Sequence, residues 1–408
     1  MSTLLIVSGG QEAVAGIQRA RDLGHYVVVC DGNEDAPGFK YANERLLAST
    51  YDIKKCVAEA QRFHSSARKI HGVLSVAADV PLTVAAIAHA LGLRGIDMVS
   101  ATLSSDKLLM KEKFLKDQIP IPRFSQVHSA SEIHQFLIQT GYPIVIKPVD
   151  SRGARGVLRV TDGMDLAWAF NTSKQFSPTG RVMVEEYLDG PQVSTESLII
   201  NGVAHTPGFA DRNYEFLDKY APHIIENGGQ LPSILESGTR FEVLELIERA
   251  ALSMGIINGV IKGDIVISQG KAHVIELAAR LSGGYFCTHE IPLNTGVDIV
   301  GAAIRQALGE PINIDDLNPS RNQPVAQRYL FPKPGKVMKI YVPEWISLDS
   351  DVTYLELRVK VGDVVPVPIH HPSRSGVVIT TGASVREAID RAEKVISSIE
   401  VVTEEVER

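Results

Sequence analysis

The sequence predicts a multidomain protein of the α/β and α+β type, with a Rossmann-like N-terminal domain and a β-rich C-terminal domain. Three observations carry this. The chain has 408 residues, too many for one ordinary core, so two to four domains are expected. At the start, "TLLIVS" ends at Gly9–Gly10, a helical pattern follows through "EAVAGIQRARDLG", and "YVVVCD" reads as a second strand. That is a βαβ unit with an acidic strand end. From about residue 320 the chain turns mainly β, with "GKVMKIYVP", "YLELRVKVGDVV" and "SGVVITTG" before a last helix, "SVREAIDRAEKVISSI".

Composition narrows the function classes. An apolar content of 44% and a charged content of 22% describe a globular protein, and the formal charge of −7 offers no basic face to nucleic acid or to a membrane surface. Cys30, Cys56 and Cys287 are scattered, with neither metal-ligand spacing nor an even framework, which fits a reducing cytoplasm. The opening "MSTLLIVSGG" has no basic n-region and too short an apolar run for a signal peptide. No stretch approaches the roughly 18 apolar residues of a membrane helix. A cytoplasmic protein is expected.

The elements follow in order. The turn "SGGQEA" lacks the full G-x-G-x-x-G spacing, so Gly9 and Gly10 are read as permitting a tight strand-to-helix turn rather than as holding a dinucleotide. Residues 72–93 add a strand and an apolar helix, and residues 1 to about 100 form one small α/β domain. In "SSDKLLMKEKFLKDQIPIPRF", Ser104 or Ser105 caps a helix to about Gln118, stopped by Pro120 and Pro122. Ser129 and Glu132 form a capping box for a helix that ends at Gly141. "YPIVIKPV" and "GVLRVTD" are strands flanking a glycine-containing loop, and "RVMVEEYLDG" is a further strand ending in a turn. Asn201–Gly202 marks a hairpin, "RFEVLELIERAALSMG" a helix, and "GVIKGDIVISQGKAHVIEL" another hairpin.

Two stretches carry chemistry. In "IVIKPVDSRGARGVLRV", Lys147 precedes a loop of Ser151, Arg152, Gly153, Arg155 and Gly156. Successive N–H groups of such a loop can form an anion-binding concavity, and the three cations favour phosphate. A flexible, solvated hairpin turn explains the same stretch equally well. In the later hairpin, a turn at Gln269–Gly270–Lys271 makes Ser268 face Ala272 and Asp264 face Glu276, with residues 264, 266, 274 and 276 on one face. Like charges facing each other destabilise a sheet, and a divalent ion such as magnesium carrying substrate phosphates would resolve the conflict. With the register slipped by one, the two acids instead point to opposite faces and into water. Arg280 follows on the loop leaving that strand, ahead of Ser282, Gly283 and Gly284, where an arginine could bind a carboxylate or phosphoryl oxygen bidentately.

Taken together, "SDKLLMK", "YPIVIKPVDSRGARGV", "VEEYLDGPQVSTESL", "KGDIVI" and "VIELAARLSGG" resemble, in this order, the ATP-grasp superfamily over roughly residues 100–310. The flanking segments resemble the N-terminal domain these enzymes carry and the closing domain of biotin carboxylases and L-amino-acid ligases. The resemblance implies four segments. Residues 1–100 are the pre-ATP-grasp domain, 101–187 the small subdomain with its lid loop, 188–315 the large subdomain with the metal site, and 316–408 the closing domain.

It also implies roles. Lys107 and Lys147 match the lysines that contact ATP phosphates, and the loop with Ser151, Arg152, Gly153, Ala154 and Gly156 matches the lid over the β- and γ-phosphates. Glu185, Glu186, Tyr187 and Leu188 match the hinge that holds adenine, largely through backbone groups. Gln192 stands where many members have a glutamate for the ribose hydroxyls. Asp264 and Glu276 match the ligands of Mg2+ (or Mn2+), and Arg280 matches the arginine that stabilises the phosphorylated intermediate. Two departures stand out: "ELAAR" puts Ala278 where many members have an asparagine ligand, and Asp264 replaces the commoner glutamate.

Such enzymes join a small-molecule carboxylate to an amine through an acyl phosphate, releasing ADP and phosphate, here with an amino acid expected as one substrate. Activation of bicarbonate or another small acid, as in biotin carboxylases and purine-pathway enzymes, is the alternative; a nucleotide-binding protein without catalysis is a third reading. Within residues 208–233, Arg212 is a candidate for a substrate carboxylate and Glu226 for an ammonium, a solvated surface excursion explaining each equally well, and Ser282, Gly283 and Gly284 are further candidate substrate contacts. Neither nucleic acid nor a membrane is expected as a partner, and a homodimer, common among relatives, is one oligomeric state to test.

Overall fold

The computed structural model describes residues 1–405 and divides into two compact units, each drawn from three stretches of chain. The first comprises Met1–Ile121, Ser194–Phe209 and Leu235–Arg321. It begins with a parallel sheet of Thr3–Val7, Tyr26–Asp31, Glu44–Leu47 and Gly72–Leu74, in spatial order third, second, first, fourth. The first strand is buried along its whole length, as a strand covered on both faces must be. Leu5, Val7, Val28 and Leu46 pack with Phe63 and Ile87 of the flanking helices.

The glycine turn serves packing, as its spacing implied. Gly9 N–H donates to Asp31 Oδ2 (2.7 Å) and Gly38 N–H to Gly9 O (2.7 Å). A side chain on Gly9 would meet Val29 at 3.0 Å, and one on Gly38 would meet the Gly9 backbone at 2.8 Å. The acidic end of the second strand thus closes the turn on itself.

The helix expected to start at Ser104 or Ser105 and run to Gln118 is two helices, Met98–Ser105 and Lys107–Lys116. Asp106 breaks them: its carboxylate accepts the N–H groups of Leu108 and Leu109, both at 3.0 Å. The serines lie inside the preceding helix, where Ser105 Oγ donates back to Ala101 O.

The strands Lys271–Ala278, Gly259–Ser268, Gln192–Ile200 and Val203–Arg212 are adjacent in that order, the first two wholly and the other two mostly within this unit. The second of these pairs begins at Asn201 (φ 51°) and Gly202 (φ 85°), both left-handed, as a two-residue hairpin demands. The first pair turns at Gln269 (φ 51°) and Gly270 (φ 74°), a two-residue turn rather than the expected three. Consequently Ser268 pairs with Lys271 and Val266 with His273, so the expected facing of Ser268 with Ala272, and of 266 with 274, is corrected. A register shift between Asp264 and Ile265 then restores the pairing of Asp264 with Glu276. Beside the shift, wholly buried Lys111 donates to Val274 O (3.2 Å) and Val274 N–H donates to Pro120 O (2.8 Å).

The second unit comprises Pro122–Val193, Ala210–Ile234 and Asn322–Arg408, described to residue 405. Its antiparallel sheet orders Phe124–Val127, Val182–Glu186, Ile144–Pro148 and Leu158–Val160. Helices Ala130–Thr140 and Leu166–Gln175 supply Ile133, Phe136, Ala169 and Phe170 to its core. Ser129 Oγ accepts the Glu132 N–H (3.3 Å), while Glu132 reaches back to the N–H of His128 rather than of Ser129 (2.9 Å). In the closing part, Gly229–Leu231, Val325–Leu330, Gly376–Thr381 and Val352–Leu357 pair antiparallel, with helix Val385–Ser398 packed on Ala326 and Val378. A small sheet orders Val364–Val365, Gly335–Tyr341 and Glu400–Glu404.

Candidate active site

In the first unit, Asp264 and Glu276 occupy one register position on neighbouring strands. Each carboxylate carries a lysine. Lys107, at the start of its helix, lies 3.2 Å from Glu276 Oε1, and Lys262 bonds Asp264 Oδ1, which also accepts from Ser194 Oγ at 3.1 Å. The like-charge conflict foreseen in the sequence is therefore balanced by two ammonium groups. The sequence motifs point to Lys107 as a phosphate contact but not to Lys262 or Ser194. The signal for Lys262 was available, since residues two apart on a strand share a face.

Arg280 leaves the Glu276 strand with its Nε 3.9 Å from Asp79 and its Nη1 donating to Leu281 O at 3.3 Å. The loop beyond it is held by carboxylates. Ser282 N–H donates to Glu196 Oε1 (3.0 Å) and Gly284 N–H to Glu12 Oε2 (2.6 Å). A Cβ on Gly283 would meet the Glu12 carboxylate at 2.7 Å. Glu196 is completely buried, and burial pushes its carboxyl up to about 7, against the hydrogen bonds from Ser282 that favour the charged form. Sequence reading missed both acids. Glu196 lies on a strand buried on both faces from Val193 to Ile199, so no alternation marked it. Cys287 is buried and its thiol donates to Ser282 O (3.0 Å); it supports the loop.

In the second unit, Lys147 and Glu185 form an ion pair of 2.6 Å, both side chains almost wholly buried. The side chain of Glu185 is thus turned to Lys147, and Glu186 pairs with Arg123 (3.1 Å). Tyr187 lies under the Arg159 guanidinium, 5.0 Å away, and burial raises its phenol. Gln192 opens the next strand.

The loop after Lys147 is half-buried and held by bonds of its own, with Gly153 exposed. Gly153 (φ 63°), Ala154 (φ 59°) and Gly156 (φ 71°) are left-handed, and Arg155 Nη1 donates to Arg152 O (3.1 Å). Asp150 anchors its start, accepting from Ser177 Oγ (2.6 Å) and from Thr179 N–H (3.1 Å). Gly153 O accepts the N–H of His371 (3.1 Å). Ser151 and Arg152 follow Asp150 at the loop's half-buried start.

Arg212 and Glu226, read from the sequence as separate substrate contacts, hydrogen-bond each other. Arg374 joins them, 3.4 Å from the Glu226 carboxylate and donating to Glu226 O at 2.7 Å, with its guanidinium 3.8 Å from the Tyr329 ring centroid. Arg374 comes from a distant stretch and no local pattern announced it.

The donor set can be weighed for a metal. Among the described residues no group of three or more His, Cys, Asp or Glu side chains is placed to hold an ion. Two carboxylates at one register position do fit Mg2+, which takes one or two carboxylates and completes its shell with phosphate oxygens and water.

The architecture is that of the ATP-grasp fold, and part of the chain matches the ATP-grasp domain family. The ATP-grasp domain family matches residues 104–284, and the family described as L-amino acid ligase C-terminal domain 2 matches residues 328–404. Among solved structures, an L-amino acid ligase from Bacillus licheniformis is similar with a TM-score of 0.84 at 20% identity, over 99% of each chain. A biotin carboxylase from Campylobacter jejuni is similar with a TM-score of 0.73 at 18% identity, over 98% of this chain and 92% of that one. A D-alanine–D-alanine ligase of Gloeobacter violaceus is 25% identical over 62% of this chain and 78% of its own. The chain spans about half the length of most of the curated relatives it matches. No helix among the described residues is long and apolar enough to cross a membrane.

Proposed function

We propose that this protein is an ATP-dependent carboxylate–amine ligase that forms an amide through an acyl phosphate, with an amino acid as one substrate. What carries the reading is the facing of Asp264 and Glu276, with Lys107 on Glu276 and Arg280 on the loop that follows. The L-amino acid ligase C-terminal domain matched at residues 328–404 supports the substrate class. The four segments 1–100, 101–187, 188–315 and 316–408 belong to this proposal.

In the first step a carboxylate oxygen of the acyl donor attacks the γ-phosphorus of ATP, the bond to the β–γ bridging oxygen breaks, and ADP leaves. In the second, the amine attacks the acyl carbon, phosphate leaves with the electrons of the C–O bond, and the amine gives up a proton to water. A reaction of this kind asks the protein for positioning and charge. Asp264 and Glu276 would hold Mg2+, which supplies charge neutralisation at the phosphate oxygens. Lys107 and Lys147 would bind phosphate, the latter with its ammonium fixed by Glu185. The backbone of Glu185–Leu188 would hold adenine, with Gln192 at the ribose. Arg280 would stabilise the charge that develops on the transferred group. The loop of Ser151, Arg152, Gly153, Ala154 and Gly156 would cover the phosphates and keep water from the acyl phosphate. Within the second unit Arg212, Glu226 and Arg374 would face a substrate, and within the first the loop Ser282–Gly284 would do so.

The test is coupled ADP and phosphate release with Mg·ATP and a matrix of amino acids offered singly and in pairs, alongside bicarbonate. Strong stimulation by one pair, with a new amide mass, is expected. Stimulation by bicarbonate alone would replace this reading with small-acid activation.

A further inference from the structure

Lys262 and Ala278 are register partners, one step along the same hairpin from the Asp264–Glu276 pair. Between Lys262 and Asp264 the register is regular, so side chains at 262, 264, 276 and 278 emerge on one face. The intervening Leu277 is wholly buried on the other. On that shared face the Lys262 ammonium bonds Asp264, its side chain mostly removed from water, while Ala278 presents only a methyl group.

Resting on the ATP reading above, we propose that this site takes one divalent ion with its nucleotide, and that the Lys262 ammonium supplies the positive charge a second ion would otherwise bring. A second ion at this end of the pair would lack a donor at position 278. It would also face a fixed positive charge on Asp264, one of the two carboxylates it would need. One lysine thus fills the place of the missing ligand and of the ion that ligand would hold. Lys107 balances Glu276 in the same way at the other carboxylate, and phosphate can draw it off; Lys262 remains beside its own strand neighbour.

The experiment counts ions rather than turnover. Mn2+ is titrated into the full chain at saturating β,γ-imido ATP, and the bound ion is read from the loss of the free-Mn2+ electron spin resonance signal. Nucleotide binding is followed in parallel by calorimetry. Wild type is expected to bind about one Mn2+ per chain, and the Lys262→Ala/Ala278→Asn double variant about two. Two ions in wild type would overturn the inference, as would a folded double variant that still binds one. Should the double variant not fold, the wild-type count decides the matter: one ion supports the inference and two overturn it. An analogue that fails to bind wild type at all overturns the ATP reading and this inference with it, whereas a bound analogue with two ions overturns the inference only.

Discussion

Lys147 and Glu185 hold each other at 2.6 Å with both side chains almost wholly out of water. From the sequence they were assigned to different ends of a nucleotide, phosphate and adenine. In the fold, neighbouring strands bring them together, Val145 pairing with Glu185 and Lys147 with Met183. Glu185 therefore does its work as the counter-ion of Lys147.

Breaking this pair is expected to be costly. Lys147→Ala leaves a buried carboxylate without its cation and should lower unfolding stability by about 3 kcal/mol in urea titrations. A Lys147→Met/Glu185→Leu double variant should recover most of that loss. A cost under about 1 kcal/mol for the single variant would mean the pair is solvated.

Glu276→Ala should reduce ADP formation by about 10³-fold while circular dichroism remains that of the folded protein. The variant also strips Lys107 of its partner, so a modest fall in melting temperature is expected alongside. Near-normal turnover would sink the assignment of Glu276 to the ion.

Arg280→Ala is expected to cut turnover about 10²-fold and to leave nucleotide affinity within a few-fold. Its ordinary ground-state contacts are slight, a 3.9 Å approach to Asp79 and a bond to Leu281 O. Equal collapse of affinity and turnover would reassign it to binding.

Stability should fall as pH rises from about 4.5 to about 7, in part through Glu196. Its carboxyl is raised to about 7 by burial, so over that window the unfolded chain has released a proton that the folded chain retains. Folding then costs more with each step in pH, by about 3 kcal/mol across the window, and the loss is complete above the folded value. Glu196→Gln keeps an acceptor for the Ser282 N–H and should flatten this part of the profile. Identical wild-type and variant profiles between pH 4.5 and 8 would contradict the raised value.

Gly156→Ala should destabilise more than Gly163→Ala, although both residues have positive φ (71° and 81°). At 163 nothing lies within 4 Å, so only the left-handed backbone resists, at about 1 kcal/mol. At 156 the new Cβ would also meet Phe176 and Pro148 at 3.0 Å. Equal melting temperatures for the two variants would show that the loop yields without strain.

The acid pair shows how far the sequence could be read. Asp264 facing Glu276 was legible, yet by a path the fold does not follow: the turn is one residue shorter, and the register shift at Asp264/Ile265 compensates. A bulge depends on what lies beside the strand, here the Pro120 carbonyl and the buried Lys111 against Val274, and such neighbours are remote in sequence. Asp106, the actual helix cap, stood next to the serines first chosen; local pattern could not rank three capping residues in a row.

The sequence by itself determined the βαβ opening, the helix capped by Ser129, the Asn201–Gly202 hairpin and the ordered motifs that resemble the ATP-grasp fold. These follow from periodicity, turn chemistry and spacing, all carried within a dozen residues or so. Tertiary structure alone decided which charges meet: Lys262 with Asp264, Lys107 with Glu276, Glu12 and Glu196 with the loop at Ser282–Gly284, and Arg374 with Glu226. A charge taken out of water must find its opposite wherever packing brings one. That partner is chosen by burial and register, which no local stretch encodes.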